Sequence, residues 1–259
     1  MNKVARPGKM NTGGIRHQVL ATAQVYVRRF YAKVEIRRTN PYLVVATAMY
    51  LASKMEESPQ HIRMLVAEAS KQWQGKSTIT NYPLNYSYLQ AVDLLVSDVS
   101  KLGECEFSLI SEMNSQLIVH HPYRSLADIT SATFALTNEE QTLAHAIIHD
   151  HYLTDLPLLH APHVIAVTAI ILAVALRQQN QSGVQPNAAH MTNALSSLGN
   201  PSPRITKLID FLAESSIEIA AVIDATQELI SLYEVWENYQ EKVCKEQITR
   251  FIKARGLDK

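Results

Sequence analysis

The sequence predicts an all-α protein built from two related helical bundles, and three observations carry that prediction. Only eight glycines occur in 259 residues, and no segment sustains the apolar/polar alternation of a half-buried strand. A strongly apolar segment occurs twice. Residues 41–52 and 162–173 match at a fixed offset of 121, with Pro41/Pro162, Thr47/Thr168, Ala48/Ala169, Leu51/Leu172 and Ala52/Ala173 identical. A helix apolar on all faces must be enclosed by other helices, so each copy marks the centre of a bundle. The copies then diverge. The first continues Ser53-Lys54-Met55-Glu56-Glu57, whereas the second stays apolar through Leu176 before Arg177. The shared part implies architecture; the charged tail of one copy marks where function sits.

The helices follow in order from periodicity and from their start signals. They are expected at 15–36, 41–56, 59–72, 86–112, 122–133, 138–152, 160–178, 203–213, 216–232 and 233–254. Asn40-Pro41, Ser58-Pro59 and Ser202-Pro203 each place a capping side chain before a proline at the first helical position. Thr137 and Glu140 form a capping-box pattern. Breaks are expected at 74–84, 120–122, 153–159 and 179–203. The repeat then divides the chain into a disordered N-terminus (1–14), a first fold (15–119), a second fold (120–232) and a C-terminal helix and tail (233–259).

Composition narrows the function. A hydrophobic fraction of 47% with 19% charged residues is that of a globular protein with filled cores. The formal net charge is zero, against the basic excess that phosphate neutralisation requires. The basic run Arg28, Arg29, Lys33, Arg37 and Arg38 is interleaved with Val25, Tyr26, Val27, Phe30, Tyr31 and Val34, the pattern of a solvated helix face. Two distant cysteines, Cys105 and Cys244, fit a reducing compartment. The longest apolar run, Val164–Leu176, falls short of the roughly 20 residues of a membrane span.

Two clusters could carry chemistry. His145 and His149 lie one helical turn apart, with Asp150 and His151 beside them, as in zinc helices. However, Ala146 breaks the His-Glu-x-x-His pattern and His151 points to another face, so polar faces of an amphipathic helix account for them better. No glycine-rich phosphate loop, no Gly-x-Ser-x-Gly and no carboxylate pair in a cleft context is found, and nothing argues for an enzyme or a cofactor. Lys54 ends an almost wholly apolar helix. A lysine there complements the helix dipole, but Glu56 and Glu57 beside it do not. The cluster is a concentrated donor and acceptor site.

Tyr50-Leu-Ala-Ser-Lys-Met-Glu-Glu57 resembles the signature of the cyclin box, and Val25–Ala32 is similar to the helix before it. The cyclin fold is a tandem pair of five-helix bundles, which the repeat had already implied; here the first bundle is expected to lack its first helix, because only fourteen residues precede Ile15. Glu104-Cys-Glu-Phe107, Leu117–Leu126 and Tyr152-x-Thr-Asp-Leu156 are most similar to the cyclin C type, the cyclin of the kinase module of the Mediator complex. The resemblance covers about residues 15–250.

What the resemblance implies is a non-catalytic, nuclear activator of a Mediator-associated cyclin-dependent kinase, acting in RNA polymerase II transcription beside other Mediator subunits, with no membrane and no direct nucleic-acid contact. The family's kinase-binding lysine maps onto Lys54 and its helix-5 glutamate onto Glu104 or Glu106, with Glu57 a further candidate. Glu104 and Glu106 lie two residues apart and cannot share one helix face, so only one is expected at the contact. The competing reading is a transcription factor IIB-like protein, which uses paired cyclin folds to bind DNA or the basal machinery.

Overall fold

The computed structural model describes residues 16–72, 88–132, 134–179 and 203–257, together with 189, 192 and 193. Among the described residues every regular element is helical, as expected. In chain order these are α1 (His17–Tyr31), α2 (Pro41–Met55), α3 (Ile62–Gln72), α4 (Tyr88–Glu112), α5 (Pro122–Ala132), α6 (Asn138–His151), α7 (Leu156–Leu159), α8 (Pro162–Gln179), α9 (Pro203–Glu214), α10 (Ile219–Glu237) and α11 (Glu241–Arg255), with a 3₁₀ turn at Ile36–Arg38. The expectation of a disordered 1–14, and the Ser202 cap, fall outside the described residues.

Capping chemistry decides several boundaries. Asn40 Oδ1 accepts from the Tyr42 amide at 3.0 Å, and Pro41 opens α2 as expected. Thr137 and Glu140 form the reciprocal capping box of α6. The expected helix start at Pro59 is wrong. The end of α2 uses Ser58, whose amide bonds back to the Ser53 carbonyl at 2.9 Å. The chain then runs on to His61, whose ring Nδ1 accepts from the Arg63 amide at 3.3 Å and so caps α3. The first helix stops at Tyr31 rather than near 36, because the chain must turn for the Tyr31 hydroxyl to meet Thr39 at 3.1 Å. The break expected at 232/233 falls instead at 238–240. Tyr233 is buried and donates to Asp150 Oδ2 at 2.6 Å, which holds α10 helical through that point. The short α7 was not foreseen; Thr154 Oγ1 accepts from the Leu156 amide at 3.2 Å and starts it.

The chain forms two compact units. One comprises Met1–Val119 with Gln240–Lys259, the other His120–Tyr239. In the first, α2 is the central helix and packs against α1, α3 and α4. Residues from Tyr42 to Ser53 on every side of α2 are buried, including Ala48 and Ala52 with no exposure. In the second, α8 is central and contacts α5, α6, α9 and α10; each residue from Val164 to Leu176 is buried. Each buried Leu, Ile or Met contributes about 1.5–3 kcal/mol. The threonine shared by the two copies is buried in both. Thr47 Oγ1 donates to the Leu43 carbonyl at 2.8 Å and Thr168 Oγ1 to the Val164 carbonyl at 2.9 Å, so neither hydroxyl is left unsatisfied.

Two further ties complete the units. Arg29 on α1 and Lys33 just beyond its end donate to the carbonyls of Gln116 and Glu112 at 2.8 and 2.7 Å, which satisfies groups at and just beyond the end of α4. The basic run that starts in the last turn of α1 therefore works partly as a clamp. In the second unit Arg204 grips Glu140 through two nitrogens, at 3.2 and 2.6 Å, and lies over the Phe134 ring. The C-terminal helix α11 belongs to the first unit, whose core holds Ile252 fully buried with Phe251 and Leu257 packed beside it.

Candidate functional site

The divergent tail of the repeat becomes a small polar site where α2 ends against α4. Each residue of Ser53–Glu57 has a separate task. Ser53 is buried; its hydroxyl donates to the Tyr50 carbonyl at 2.7 Å and accepts from the Gln60 amide at 3.3 Å, which ties the following segment back to the helix. Lys54 faces outward and forms an ion pair with Glu106 of α4, their side chains 40% and 15% exposed. Its Nζ also lies 4.5 Å from the centre of the Tyr50 ring, one turn back. Glu56 turns the other way and accepts from the buried Thr22 hydroxyl at 2.5 Å, joining the end of α2 to α1. Beside it the Tyr26 hydroxyl donates to the Leu117 carbonyl at 2.5 Å, and burial, with help from the Glu56 charge, pushes the Tyr26 phenol up to about 12.

Of the two acids the sequence left open, the structure joins only Glu106 to Lys54. Glu104 is exposed, and its carboxylate lies 3.4 Å from the Ser100 hydroxyl on its own helix. Glu57 is exposed and follows the helix in a left-handed conformation with φ of 50°. Two exposed apolar side chains adjoin the ion pair in sequence: Met55, next to Lys54, and Phe107, next to Glu106 and 76% exposed. Sequence reading missed both. Their signal was an apolar residue beside a singled-out charge, which a single sequence does not separate from core.

Burial pushes the Cys105 thiol up, only partly offset by a hydrogen bond with Thr47. Two turns back along α4 from Glu106, Asp98 is buried, its Oδ2 has no hydrogen-bond partner among the described residues, and desolvation lifts its carboxyl to about 7.

The histidine cluster of the second unit separates into different settings. The rings of His145 and His149 lie 6.0 and 5.6 Å from that of Tyr123. His151 is fully buried with Nδ1 against the Ile148 carbonyl, and Asp150 accepts from Tyr233. Among the described residues no three His, Cys, Asp or Glu side chains converge as a metal site would require. His121 Nδ1 meets the Tyr152 hydroxyl at 2.7 Å.

Two helical units, each wound around one buried central helix, with a lysine–glutamate pair at the end of the first of these helices, define a twice-built α-helical module. Comparison with known proteins gives the family. The model of the cyclin N-terminal domain matches residues 11–82. An RNA polymerase II holoenzyme cyclin-like subunit of Aspergillus oryzae is 55% identical over 256 residues, covering 94% of this chain and 79% of the relative. The protein of the same name from Neurospora crassa is 44% identical over 300 residues, covering 95% and 82%. A chain in the structure of the CAK complex from Chaetomium thermophilum bound to ATP-gamma-S matches with a TM-score of 0.56 at 16% identity, over 95% of this chain and 66% of that one, a likeness of fold. The chain is a cyclin, a member of the family of RNA polymerase II holoenzyme cyclin-like subunits of the cyclin C type.

Proposed function

We propose that this cyclin binds and activates a cyclin-dependent kinase of the Mediator kinase module, in the nucleus and in the service of RNA polymerase II transcription, with no catalytic residue or cofactor of its own. The observation that carries the reading is the Lys54–Glu106 pair, held between α2 and α4 and flanked by Met55 and Phe107. A lysine ammonium has three donors and a carboxylate about four acceptor positions, so the pair retains capacity for a partner's backbone groups. The apolar neighbours supply area that a kinase helix covers, and the charges fix register. Docking there sets the regulatory helix of the kinase and with it the kinase Lys–Glu pair. Glu104 lies away from Lys54 and takes no part; Glu57 gives a peripheral contact.

Co-purification of the kinase with Lys54→Glu and with Glu106→Ala tests the reading. Losing one partner of a desolvated charge contact costs about 2–5 kcal/mol, so both variants should lose most of the kinase while keeping their helical content. Glu104→Ala should bind as the parent does. Retention of the kinase by both Lys54→Glu and Glu106→Ala refutes the site.

One observation favours a second reading, in which the paired folds bind DNA. The first unit, Met1–Val119 with Gln240–Lys259, carries twenty basic against twelve acidic side chains. A DNA mobility shift that weakens steeply with salt would support that reading. The kinase reading predicts none at physiological ionic strength.

A further inference from the structure

The zero net charge of the chain conceals a division. The second unit, His120–Tyr239, holds twelve acidic and only four basic side chains, a net charge of −8. It also exposes apolar side chains that its own packing does not use. Helix α10 buries Val222, Ala225, Leu229 and Tyr233 and packs on α8 with that face. Ile219 and Ile223, one turn apart, point away from it, and Ile223 is 61% exposed. At the end of α7, Leu158 is exposed and Leu159 is 67% exposed. A 2.9 Å contact between His160 Nε2 and Asp224 Oδ2 draws these two places together. The exposed isoleucines and leucines therefore flank one junction of α7 and α10. Glu218 immediately precedes Ile219, Asp224 follows Ile223, and Asp155 precedes α7.

We infer that this junction is a docking surface for a basic amphipathic helix of a partner protein. Apolar side chains at helical spacing on the partner cover Leu159 and Ile223, and its flanking lysines or arginines meet the acidic rim. Exposed apolar groups in contiguity mark such surfaces, and complementary charge sets the partner class and speeds encounter. A second copy of the chain is the less suited occupant. The exposed Phe107 and Met55 of its basic unit adjoin acids of their own, Glu106 and Glu56. The surface lies wholly in the second unit and does not depend on the Lys54–Glu106 reading.

The test uses the full chain and a fluorescein-labelled helical peptide of leucine and lysine at amphipathic spacing, with fluorescence anisotropy as readout. The peptide should bind the parent. Two variants should weaken it by about tenfold or more, equivalent to ~1.4 kcal/mol: Leu159→Ser with Ile223→Ser, and Glu218→Lys with Asp224→Lys. All four positions are exposed, so circular dichroism should be unchanged. Phe107→Ser should leave peptide binding intact, and the surface variants should keep the kinase. Four results would overturn the proposal: no binding by the parent, equal binding by both surface variants, equal binding of a leucine–glutamate peptide, or a parent that dimerises while the surface variants are monomers.

Discussion

Glu57 sits in the region of backbone space that suits glycine, with φ of 50°, at the position that closes α2. Its amide bonds to the Lys54 carbonyl at 3.3 Å and the Ser58 amide to the Ser53 carbonyl at 2.9 Å, the Schellman pattern. The end of α11 uses the same geometry with Gly256, φ 60°, where no Cβ is in the way. A left-handed residue with a side chain costs about 1–2 kcal/mol. Glu57→Gly should therefore raise stability, by up to ~1 kcal/mol after the extra chain entropy of glycine, measured by urea unfolding. If Glu57 is only peripheral to the kinase contact, this variant keeps the kinase. Asp98 also costs stability, in a pH-dependent way. Its folded carboxyl titrates near 7 against an ordinary 3.8, so the folded state holds a proton that the unfolded state releases. Stability from this group is intact below about pH 4 and falls as pH rises toward 7. Asp98→Asn should stabilise the protein at pH 8 by the order of 2–4 kcal/mol, the difference vanishing in thermal melts at pH 3.5. A persistent gain at the acid end would refute the assignment.

At the scale of elements, the two central helices show how one pattern serves two ends. Val164–Leu176 stays apolar and is enclosed throughout. Helix α2 is enclosed as far as Ser53 and then emerges, and its last turn carries the Lys54–Glu106 pair. Helix α11 makes the least visible contribution. Its sequence is polar, yet Ile252 is fully buried in the first unit. Ile252→Ala should cost about 2–5 kcal/mol of unfolding free energy, the usual range for a buried isoleucine. Val243→Ala, at an exposed position of the same helix, should cost less than ~0.5 kcal/mol. Equal effects would mean that α11 does not pack as described.

For the whole molecule, chain order and structural unit differ, since residues 240–259 return to the unit of residues 1–119. Ending the chain after Tyr239 removes Ile252 from the core around α2. The expected outcome is faster amide exchange across α1, α2 and α4 and loss of kinase co-purification, although Lys54 and Glu106 remain. Exchange in α6 and α8 of the second unit should not change. Unaltered protection of α2 would refute this dependence. The same division separates opposite net charges that cancel over the chain.

Local chemistry made much of this legible in the sequence. Helical class, the duplicated core helix, the Asn40 and Thr137 caps, and the Lys54 cluster all rest on residues that are neighbours along the chain or one turn apart, where periodicity and hydrogen-bonding capacity speak directly. What the sequence left open was decided by contacts between elements. Glu104 and Glu106 are equivalent in composition and nearly so in position, and only the packing of α4 against α2 sends Glu106 to Lys54 and leaves Glu104 outside. Glu56 and Glu57 are adjacent, yet one is captured by Thr22 of α1 and the other closes the helix. Ser58 was read as the start of a helix, but its amide is consumed in ending the previous one. The sequence by itself determined that this is a twice-built helical protein with a charged tail on one copy, because burial imposes its period on every core helix. Only the tertiary structure decided which charges meet and which unit the last helix completes, because those depend on distances between segments far apart in the chain.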